Sequence, residues 1–405
     1  MSVDIEKRRR FASASRAFSP GAPINQYNLF AGRIELVNDV VRAINQRGQH
    51  VILYGERGVG KTSLANIMKE ILEHGITVVK VNCDTEDNFR SIWHKVFREI
   101  VIKKESKGLG FNKSDTIEQI PLDGFINGLD EIHPEDIRYF LERISNVLVI
   151  IIDEVDRIDD LQTTTLMADT IKTLSDHSLS STLVLIGVAD SVNELIQKHM
   201  STERTLVQVR MPRMSVEELG EILDKGYEHL KMKITTPAKN RIIQLSQGLP
   251  HYTHLLGLHS AESCINDDRD TINETDVDNA IREAINKAQQ TIISTYNTAI
   301  SSPRKTLFSQ VLLSCALAKK DALGAFMASD VRNPMSLIMH RKYDIPAFAR
   351  HLNDFCDEKR GPVLQKLGTS RRFRYRFINP MLEPYTIIHG LATGIISAEA
   401  LEKLA

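Results

Sequence analysis

The sequence lacks long apolar runs and has few cysteines. Its longest uninterrupted apolar stretch, residues 147–152, is far shorter than the roughly 20 residues that span a bilayer, so we expect no transmembrane helix. No apolar stretch of the secretory type follows the basic residues 7–10, which favours a cytoplasmic protein. No two of the four cysteines have the spacing of a metal site, so we expect free thiols at Cys83, Cys264, Cys315 and Cys356.

Charge is distributed unevenly along the chain. Residues 303–405 contain 16 lysines and arginines against 9 acidic residues, a net charge of +7. Because the whole chain carries −1, residues 1–302 carry −8. A basic final third on an acidic body suggests contact with a polyanion. The alternative is a domain that is basic for solubility, or for docking on the acidic body.

Short apolar runs alternate with helical stretches over the first half of the chain. Runs of this kind are typical of strands that are covered on both faces, so an α/β fold with a parallel sheet and helices on both sides is predicted. The polar stretch 103–128 indicates an inserted loop. The predicted strands lie at residues 51–54, 77–81, 147–152, 182–186 and 205–209.

A glycine-rich motif follows the first predicted strand and precedes a helical stretch. Its pattern, G-x-x-x-x-G-K-[ST], is that of a phosphate-binding loop. The glycines let backbone N–H groups surround the phosphates, Lys61 reaches the β- and γ-phosphates, and the Thr62 hydroxyl binds Mg²⁺. The predicted nucleotide-binding residues of this loop are Gly55, Glu56, Arg57, Gly58, Val59, Gly60, Lys61, Thr62 and Ser63.

An acidic pair ends the third predicted strand. A parallel sheet brings Asp153 and Glu154 to the same edge as the phosphate loop. We expect Asp153 to hold Mg²⁺ through water and Glu154 to activate the attacking water. ATP and Mg²⁺ are therefore the predicted cofactors, and Lys61 and Glu154 the predicted catalytic residues.

These motifs, with the helical stretch after the last strand, resemble those of AAA+ ATPases. Within that group, the chain resembles initiator ATPases of the origin-recognition type and transposition-regulator ATPases, on the segments 29–33, 185–190 and 248–251. The resemblance implies nucleotide contacts by Phe30, Arg33, Asp190, Pro250 and His251. It also implies four parts: an N-terminal arm (1–27), the nucleotide-binding domain (28–213), a helical lid (214–300) and a winged-helix-like domain (301–405).

The sequence departs from the family at both sensor positions. Asp190 stands where an amide or hydroxyl normally contacts the γ-phosphate, and His251 stands where initiators have arginine. Gly248-Leu-Pro250 also resembles the nucleotide-contacting motif of STAND signalling ATPases. We therefore expect slow, switch-like hydrolysis.

Arg204 lies just before the fifth strand, where related ATPases place an arginine that reaches the γ-phosphate of a neighbouring subunit. Such a residue neutralises charge that develops during phosphoryl transfer. Arg210 and Arg213 are alternatives for the same role, and a surface arginine is the simpler interpretation.

A basic, alternating segment follows the turn at residues 368–370. In a strand, Phe373, Tyr375 and Phe377 would share one face. The opposite face would carry a row of charges suited to DNA phosphates, formed by Arg372, Arg374 and Arg376. A solvated edge strand is the alternative.

Two functions remain open from the sequence. The first is an ATP-controlled switch that self-associates, binds double-stranded DNA through the winged helix, and recruits or loads an unidentified protein partner. The second is a signalling ATPase whose oligomer activates a separate effector protein. We expect no membrane partner in either case.

Overall fold

The computed structural model describes residues 2–24, 27–72, 76–106, 116–125, 131–144, 147–189, 204–302, 306–321, 324–368 and 373–404. The first half contains, in order, α1 (Ser2–Ala17), α2 (Ile34–Ile44), β1 (His50–Gly55), α3 (Lys61–Leu72), β2 (Thr77–Asn82), α4 (Phe89–Glu99), β3 (Val101–Ser106), β4 (Thr116–Pro121), α5 (Pro134–Leu141), β5 (Leu148–Asp153), α6 (Leu161–Asp176), β6 (Ser181–Val188) and β7 (Leu206–Met211). The second half contains α7 (Val216–His229), β8 (Lys233–Ile234), α8 (Thr236–Ser246), α9 (Pro250–Asn266), β9 (Thr271–Ile272), α10 (Glu274–Asn286), α11 (Gln290–Ile300), α12 (Phe308–Ala316), β10 (Phe326–Met327), α13 (Arg332–Ile338), α14 (Ala349–Asp354), β11 (Leu364–Leu367), β12 (Arg374–Phe377), α15 (Leu382–Ala392) and α16 (Ala398–Glu402). No helix in these ranges is both long and apolar enough to cross a bilayer.

Five parallel strands form the central sheet, in the order β2-β5-β6-β1-β7. Alternate residues of β1 enter two different cores: Val51 and Leu53 pack on one face and Ile52 on the other. Helix α3 covers the first face and α4 covers the second, where Trp93 is fully buried. All five apolar runs are strands, and the predicted α/β sheet with helices on both sides is confirmed.

The polar stretch after α4 is not the loop that the sequence suggested. Strands β3 and β4 pair antiparallel, from Val101 opposite Pro121 to Ser106 opposite Thr116. A short 3-10 turn, Leu122–Phe125, follows them. The alternating pattern of a two-stranded hairpin is weak where polar residues adjoin one another, as at residues 103–106, which explains the missed prediction.

The N-terminal segment is not a free arm, so that expectation is wrong for the described part of residues 1–27. Helix α1 packs on α7 and α9, and the following Phe18 is fully buried. The Phe18 ring lies edge-on to Tyr227, with 4.9 Å between the ring centroids. Lys7 and Arg10, from the basic run at residues 7–10, pair with Asp268 and Asp270 after α9.

Helices α7 to α10 form the lid that was expected after the sheet. Helix α7 begins in a capping box, because the Ser215 hydroxyl accepts from Glu218 N–H and the Glu218 carboxylate accepts from Ser215 N–H. A parallel pair of two-residue strands, β8 and β9, ties the lid together. Helix α11 instead packs on α12 and α15 of the C-terminal part.

The C-terminal part has the element order of a winged helix. Helix α12 is followed by β10, the helices α13 and α14, and the hairpin β11–β12, with the sheet order β10-β12-β11. Tyr375 and Phe377 are buried on the inner face of β12, whereas Arg374 is exposed and Arg376 half-buried on the outer face. The predicted separation of aromatic and basic residues is present in the described part of the hairpin. Arg372 lies outside the described residues.

Candidate functional site

The phosphate loop joins β1 to α3 at the carboxyl end of the sheet. Gly55, Gly58 and Gly60 have positive φ angles, and a Cβ at Gly55 would lie 2.3 Å from the Met211 carbonyl oxygen. Lys61 Nζ donates to the carbonyl oxygens of Gly55 and Glu56, at 2.9 Å each. The carbonyl oxygens of the loop therefore fix the position of the Lys61 ammonium group at the start of α3.

Lys61 is 8% exposed, and burial lowers its pKa to about 8. Asp156 and Asp153 oppose this shift by favouring the charged form. A buried ammonium that is held mainly by carbonyl oxygens is short of negative charge. The loop is thus arranged to gain stability when an anion arrives.

The acidic pair lies beside the loop. Asp153 is 2% exposed, and its Oδ1 accepts from Glu154 N–H at 2.9 Å. Glu154 has a φ of 61°, a strained left-handed conformation of the kind that is concentrated at functional sites. Its carboxylate lies 3.4 Å from Arg157 Nε, and the residue lines the cavity described below.

The residues at this edge fit a Mg²⁺ ion. Asp153 Oδ2 is buried and has no hydrogen-bond partner among the described residues, although Lys80 Nζ lies 3.4 Å away. A buried carboxylate oxygen and the Thr62 hydroxyl are hard oxygen ligands of the type that Mg²⁺ prefers. Asp153 and Thr62 are the residues that would hold the metal, which would supply positive charge beside the phosphates of a nucleotide.

A cavity of about 520 Å³ opens above the loop, a volume typical of small-molecule sites. It brings together most of the nucleotide-binding residues that the sequence predicted. These are Phe30, Arg33, Arg57, Gly58, Gly60, Lys61, Thr62, Ser63, Asp153, Glu154, Pro250 and His251.

Arg33 supplies a second buried positive charge in this cavity. The residue is 6% exposed, and Nη2 donates to the Pro212 carbonyl oxygen at 2.5 Å. Within the described ranges, neither Nε nor Nη1 has a hydrogen-bond partner. Burial lowers the pKa of Arg33 to about 10, and Glu218 opposes the shift. The guanidinium remains charged at neutral pH and has donors free for an anion.

Burial disfavours a positive charge on His251, the residue that the sequence assigned to the second-sensor position. His251 Nδ1 is 2.8 Å from the Pro20 carbonyl oxygen, and burial lowers the pKa of this imidazole. Burial also lowers the pKa of the neighbouring His254 to about 4. Pro250 Cγ approaches the phosphate loop, 3.8 Å from the position that a Cβ of Gly60 would take.

Several predicted site residues lie elsewhere. The Glu56 side chain turns away from the cavity and pairs with Arg213, and the Val59 side chain is fully buried in the core. Arg204 is exposed at the amino end of β7, whereas the phosphate loop is at the carboxyl end of the sheet. A strand of this length spans about 20 Å, so Arg204 cannot reach the phosphates of its own subunit. Asp190 lies outside the described residues.

The sequence did not reveal one wall of the cavity. This wall is the segment 19–24 after α1, which is held by a hydrogen bond from Ile24 N–H to the Ser63 hydroxyl (3.1 Å). Pro20 and Pro23 were visible only as turn signals. Asp156, whose carboxylate accepts from Val188 N–H at 2.7 Å, also lines the cavity. Its position two residues after Glu154 could have indicated that Asp156 belongs to the site.

The strand–loop–helix geometry and the acidic pair define a P-loop nucleotide-binding protein. Residues 44–196 match the family model described as "AAA domain". The chain therefore carries an AAA ATPase domain, and the AAA+ prediction made from the motifs is confirmed for this part. No curated protein matches the sequence significantly.

Several solved structures are similar to this chain at low sequence identity. Cdc6p from Pyrobaculum aerophilum is 13% identical, with a TM-score of 0.48 over 96% of this chain and 99% of that chain. The Aeropyrum pernix ORC1 protein, solved in complex with DNA, is 13% identical, with a TM-score of 0.48 over 94% and 96%. Thermotoga maritima RuvB, a Holliday junction branch migration motor, is 15% identical, with a TM-score of 0.43 over 87% and 94%. Likeness at this level says nothing about partners.

The pKa of Lys61 predicts a pH dependence of ATP binding. Phosphates favour the charged lysine, so the free protein must take up a proton when it binds ATP above about pH 8. From about pH 7.5 to about pH 9, the charged fraction and hence the apparent affinity should fall roughly tenfold. Calorimetry in buffers of different ionisation enthalpy measures both quantities. Constant affinity without proton uptake would contradict the assigned lysine.

Replacing Glu154 by Gln tests the role of this carboxylate. Glutamine keeps the shape and leaves Asp153 intact, so ATP should still bind, whereas hydrolysis should fall by about 100-fold or more because water activation is lost. Nucleotide that remains bound after gel filtration, together with phosphate release, measures this. Asp159→Asn, an exposed carboxylate change nearby, should leave both values unchanged. Wild-type turnover by Glu154→Gln would exclude the assignment.

Proposed function

We propose that this protein is an ATP-binding, slowly hydrolysing switch. With ATP it self-associates, and through its C-terminal winged helix it binds double-stranded DNA to recruit or load partner proteins. The triphosphate is bound by Lys61 and Arg33, and its Mg²⁺ ion by Thr62 and Asp153. Glu154 activates the attacking water. ATPase rate measured with and without duplex DNA is the direct test, because a DNA-bound switch should change its rate.

One observation carries the nucleotide part of the proposal. Two buried cations, Lys61 and Arg33, enter the same cavity beside a buried carboxylate oxygen of Asp153, and all three lack full partners among the described side chains. Each unmet charge or donor costs free energy in a buried site. A triphosphate with Mg²⁺ supplies both the anion and the cation that these groups need.

Slow hydrolysis follows from the groups around the cavity. With its pKa lowered by burial, His251 is a neutral group at the position where initiators have a charged arginine. A neutral imidazole stabilises the charge developing on the transferred phosphoryl group less than a guanidinium does. A further cation from a neighbouring subunit would therefore raise the rate, and the exposed Arg204 is suited to that role.

The DNA part rests on the outer face of the β11–β12 hairpin. Arg374 pairs with Asp321, and Arg376 Nη2 donates to Gln365 Oε1 at 2.9 Å, so both guanidinium groups are held along the strand. Arg374 remains exposed and Arg376 half-buried, in a part of the chain with a net charge of +7. Cations at two-residue spacing suit a phosphate backbone.

The position of Pro250 supports a second candidate function. The proline of Gly248-Leu-Pro250 lies against the phosphate loop, as the resemblance to STAND signalling ATPases implies. In that case the C-terminal part would serve as a regulatory or protein-docking domain. Oligomerisation induced by a protein ligand, with an ATPase rate indifferent to DNA, would favour this function over the first.

Mixing two inactive variants tests the role of Arg204 between subunits. Arg204→Ala has an intact site but no arginine to donate, whereas Lys61→Ala has the arginine but no phosphate-binding lysine. If Arg204 acts on the neighbouring subunit, the mixture should regain part of the activity, and the rate should rise with protein concentration. Arg98→Ala, another exposed arginine, should remain active alone. No regain of activity, together with a concentration-independent rate, would exclude action between subunits.

Removing the hairpin charges tests the DNA interface. Changing Arg372, Arg374 and Arg376 together to Ala should weaken binding to all sequences alike, since phosphate contacts carry no base information. If each arginine contacts one phosphate, the slope of log affinity against log salt should shrink by roughly 2.7, at about 0.9 per contact. A salt titration with duplex DNA measures the slope.

The matched control removes three exposed cations outside the hairpin, Arg42, Arg47 and Lys287. Its salt slope should equal that of the wild type. An equal loss of slope in both triple variants would indicate attraction by total charge rather than by the hairpin. Absence of DNA binding by the wild type at low salt would remove the DNA function and leave the signalling ATPase.

A further inference from the structure

Arg213 joins the phosphate loop to the C-terminal part through two carboxylates. On one side, Arg213 Nε and Nη2 lie 2.7 and 3.0 Å from the two Glu56 carboxylate oxygens. On the other side, Nη1 and Nη2 lie 2.9 and 3.0 Å from the two Glu383 oxygens. Glu383 is in α15 and also pairs with Lys320 at 2.9 Å. One guanidinium thus makes two bidentate contacts, to residues 157 and 170 positions away in sequence.

The four charges balance and are shielded from water. The Glu383 side chain is fully buried, and the side chains of Lys320, Glu56 and Arg213 are 10%, 15% and 16% exposed. Although burial alone would lower it, Glu383 and Glu56 raise the pKa of Arg213 above its ordinary value. Loss of one member would leave a buried charge without its partner, which is strongly unfavourable. The ion-pair group therefore acts as a unit.

A second contact reaches the same loop. Gly58 has a φ of +85°, and a Cβ there would lie 2.9 Å from Met381 Sδ, directly before α15. The Met381 carbonyl oxygen accepts from the Tyr252 hydroxyl of the lid at 2.7 Å. Met381, at the start of α15, therefore packs close to the loop at Gly58, while Arg213 links Glu383 of α15 to Glu56 of the loop.

The loop is held at these points by protein groups that do not bind nucleotide. Neither Glu56 nor Glu383 lines the cavity, whereas Gly58, Gly60 and Lys61 do. The backbone between residues 55 and 61 must take one shape to aim its N–H groups at phosphates. Any shift of α15 is passed to that backbone by the Arg213 contacts and by Met381.

We infer that Arg213 is a positioning residue: it makes the conformation of the phosphate loop depend on the position of α15. It thereby couples nucleotide binding to the C-terminal part. The inference rests on the proposed ATP binding but not on DNA binding. Thermodynamic linkage makes the coupling reciprocal. If the packed position of α15 increases the affinity for nucleotide by some factor, nucleotide stabilises that position of α15 by the same factor.

Arg213→Lys is the informative variant. Lysine keeps the positive charge, but it is a point charge that cannot form two bidentate pairs at once. We expect nucleotide affinity to fall about tenfold, within the usual range of coupling between sites. In the wild type, ATP should slow hydrogen exchange of the α15 amides, and in Arg213→Lys this effect of ATP should be lost.

Arg241→Lys is the matched control. Arg241 has a similar exposure of 17% and an ion pair of 2.7 Å to Asp278, within the lid. It should keep both the wild-type affinity and the ATP effect on α15. Glu383→Gln provides a second variant, and when combined with Glu56→Gln the two losses of affinity should not add, because they break the same unit.

The outcomes separate the inference from the function on which it rests. If the wild type binds ATP but exchange in α15 does not respond, or if Arg213→Lys behaves like Arg241→Lys, the coupling is wrong and ATP binding stands. Additive losses for Glu56→Gln and Glu383→Gln would also overturn it. If the wild type does not bind ATP, the proposed function fails, and the coupling fails with it.

Discussion

The arrangement around the phosphate loop depends on buried positive charge. Three cations, Lys61, Arg33 and Arg213, lie near the carboxyl end of the sheet, and each is largely shielded from water. They differ in how they are satisfied. Arg213 has two carboxylates, Lys61 has two carbonyl oxygens, and Arg33 has one carbonyl oxygen within the described structure. The two poorly satisfied cations face the cavity, so the demand for an anion is concentrated there.

This difference separates binding from turnover. Lys61 and Arg33 can stabilise a triphosphate in its ground state, which favours affinity. Rate requires charge that is better placed for the transition state, whereas burial disfavours the charged form of His251 and His254, the two lid histidines that line the cavity. Under the proposed function, a site of this kind favours ATP binding over turnover, and a further cation would raise the rate. Such behaviour suits a switch whose bound state must persist.

The sequence was most informative where a pattern is local. Runs such as the one that became β5 have both faces buried, so their composition alone identified the sheet, and strict alternation separated Tyr375 and Phe377 from the arginines. Helix α1 was missed because its contact surface is small and centres on Ala14, Ala17 and Phe18 among many charged residues. The sequence of α1 therefore does not show the broad apolar stripe that normally identifies an amphipathic helix.

The contacts of Arg213 could not be found from spacing at all. Its partners are far away in sequence, and an arginine after a strand is equally consistent with a surface role or with a role between subunits. Burial decides between these, since an arginine enclosed by two carboxylates cannot also reach a neighbour. The position along β7 distinguishes Arg204 from Arg213. Arg204 is exposed at the amino end of this strand, opposite the phosphate loop, where it could contact only the phosphates of another chain. Within this short segment, Arg213 is therefore committed to contacts in its own subunit, whereas Arg204 is exposed at the opposite end of the strand.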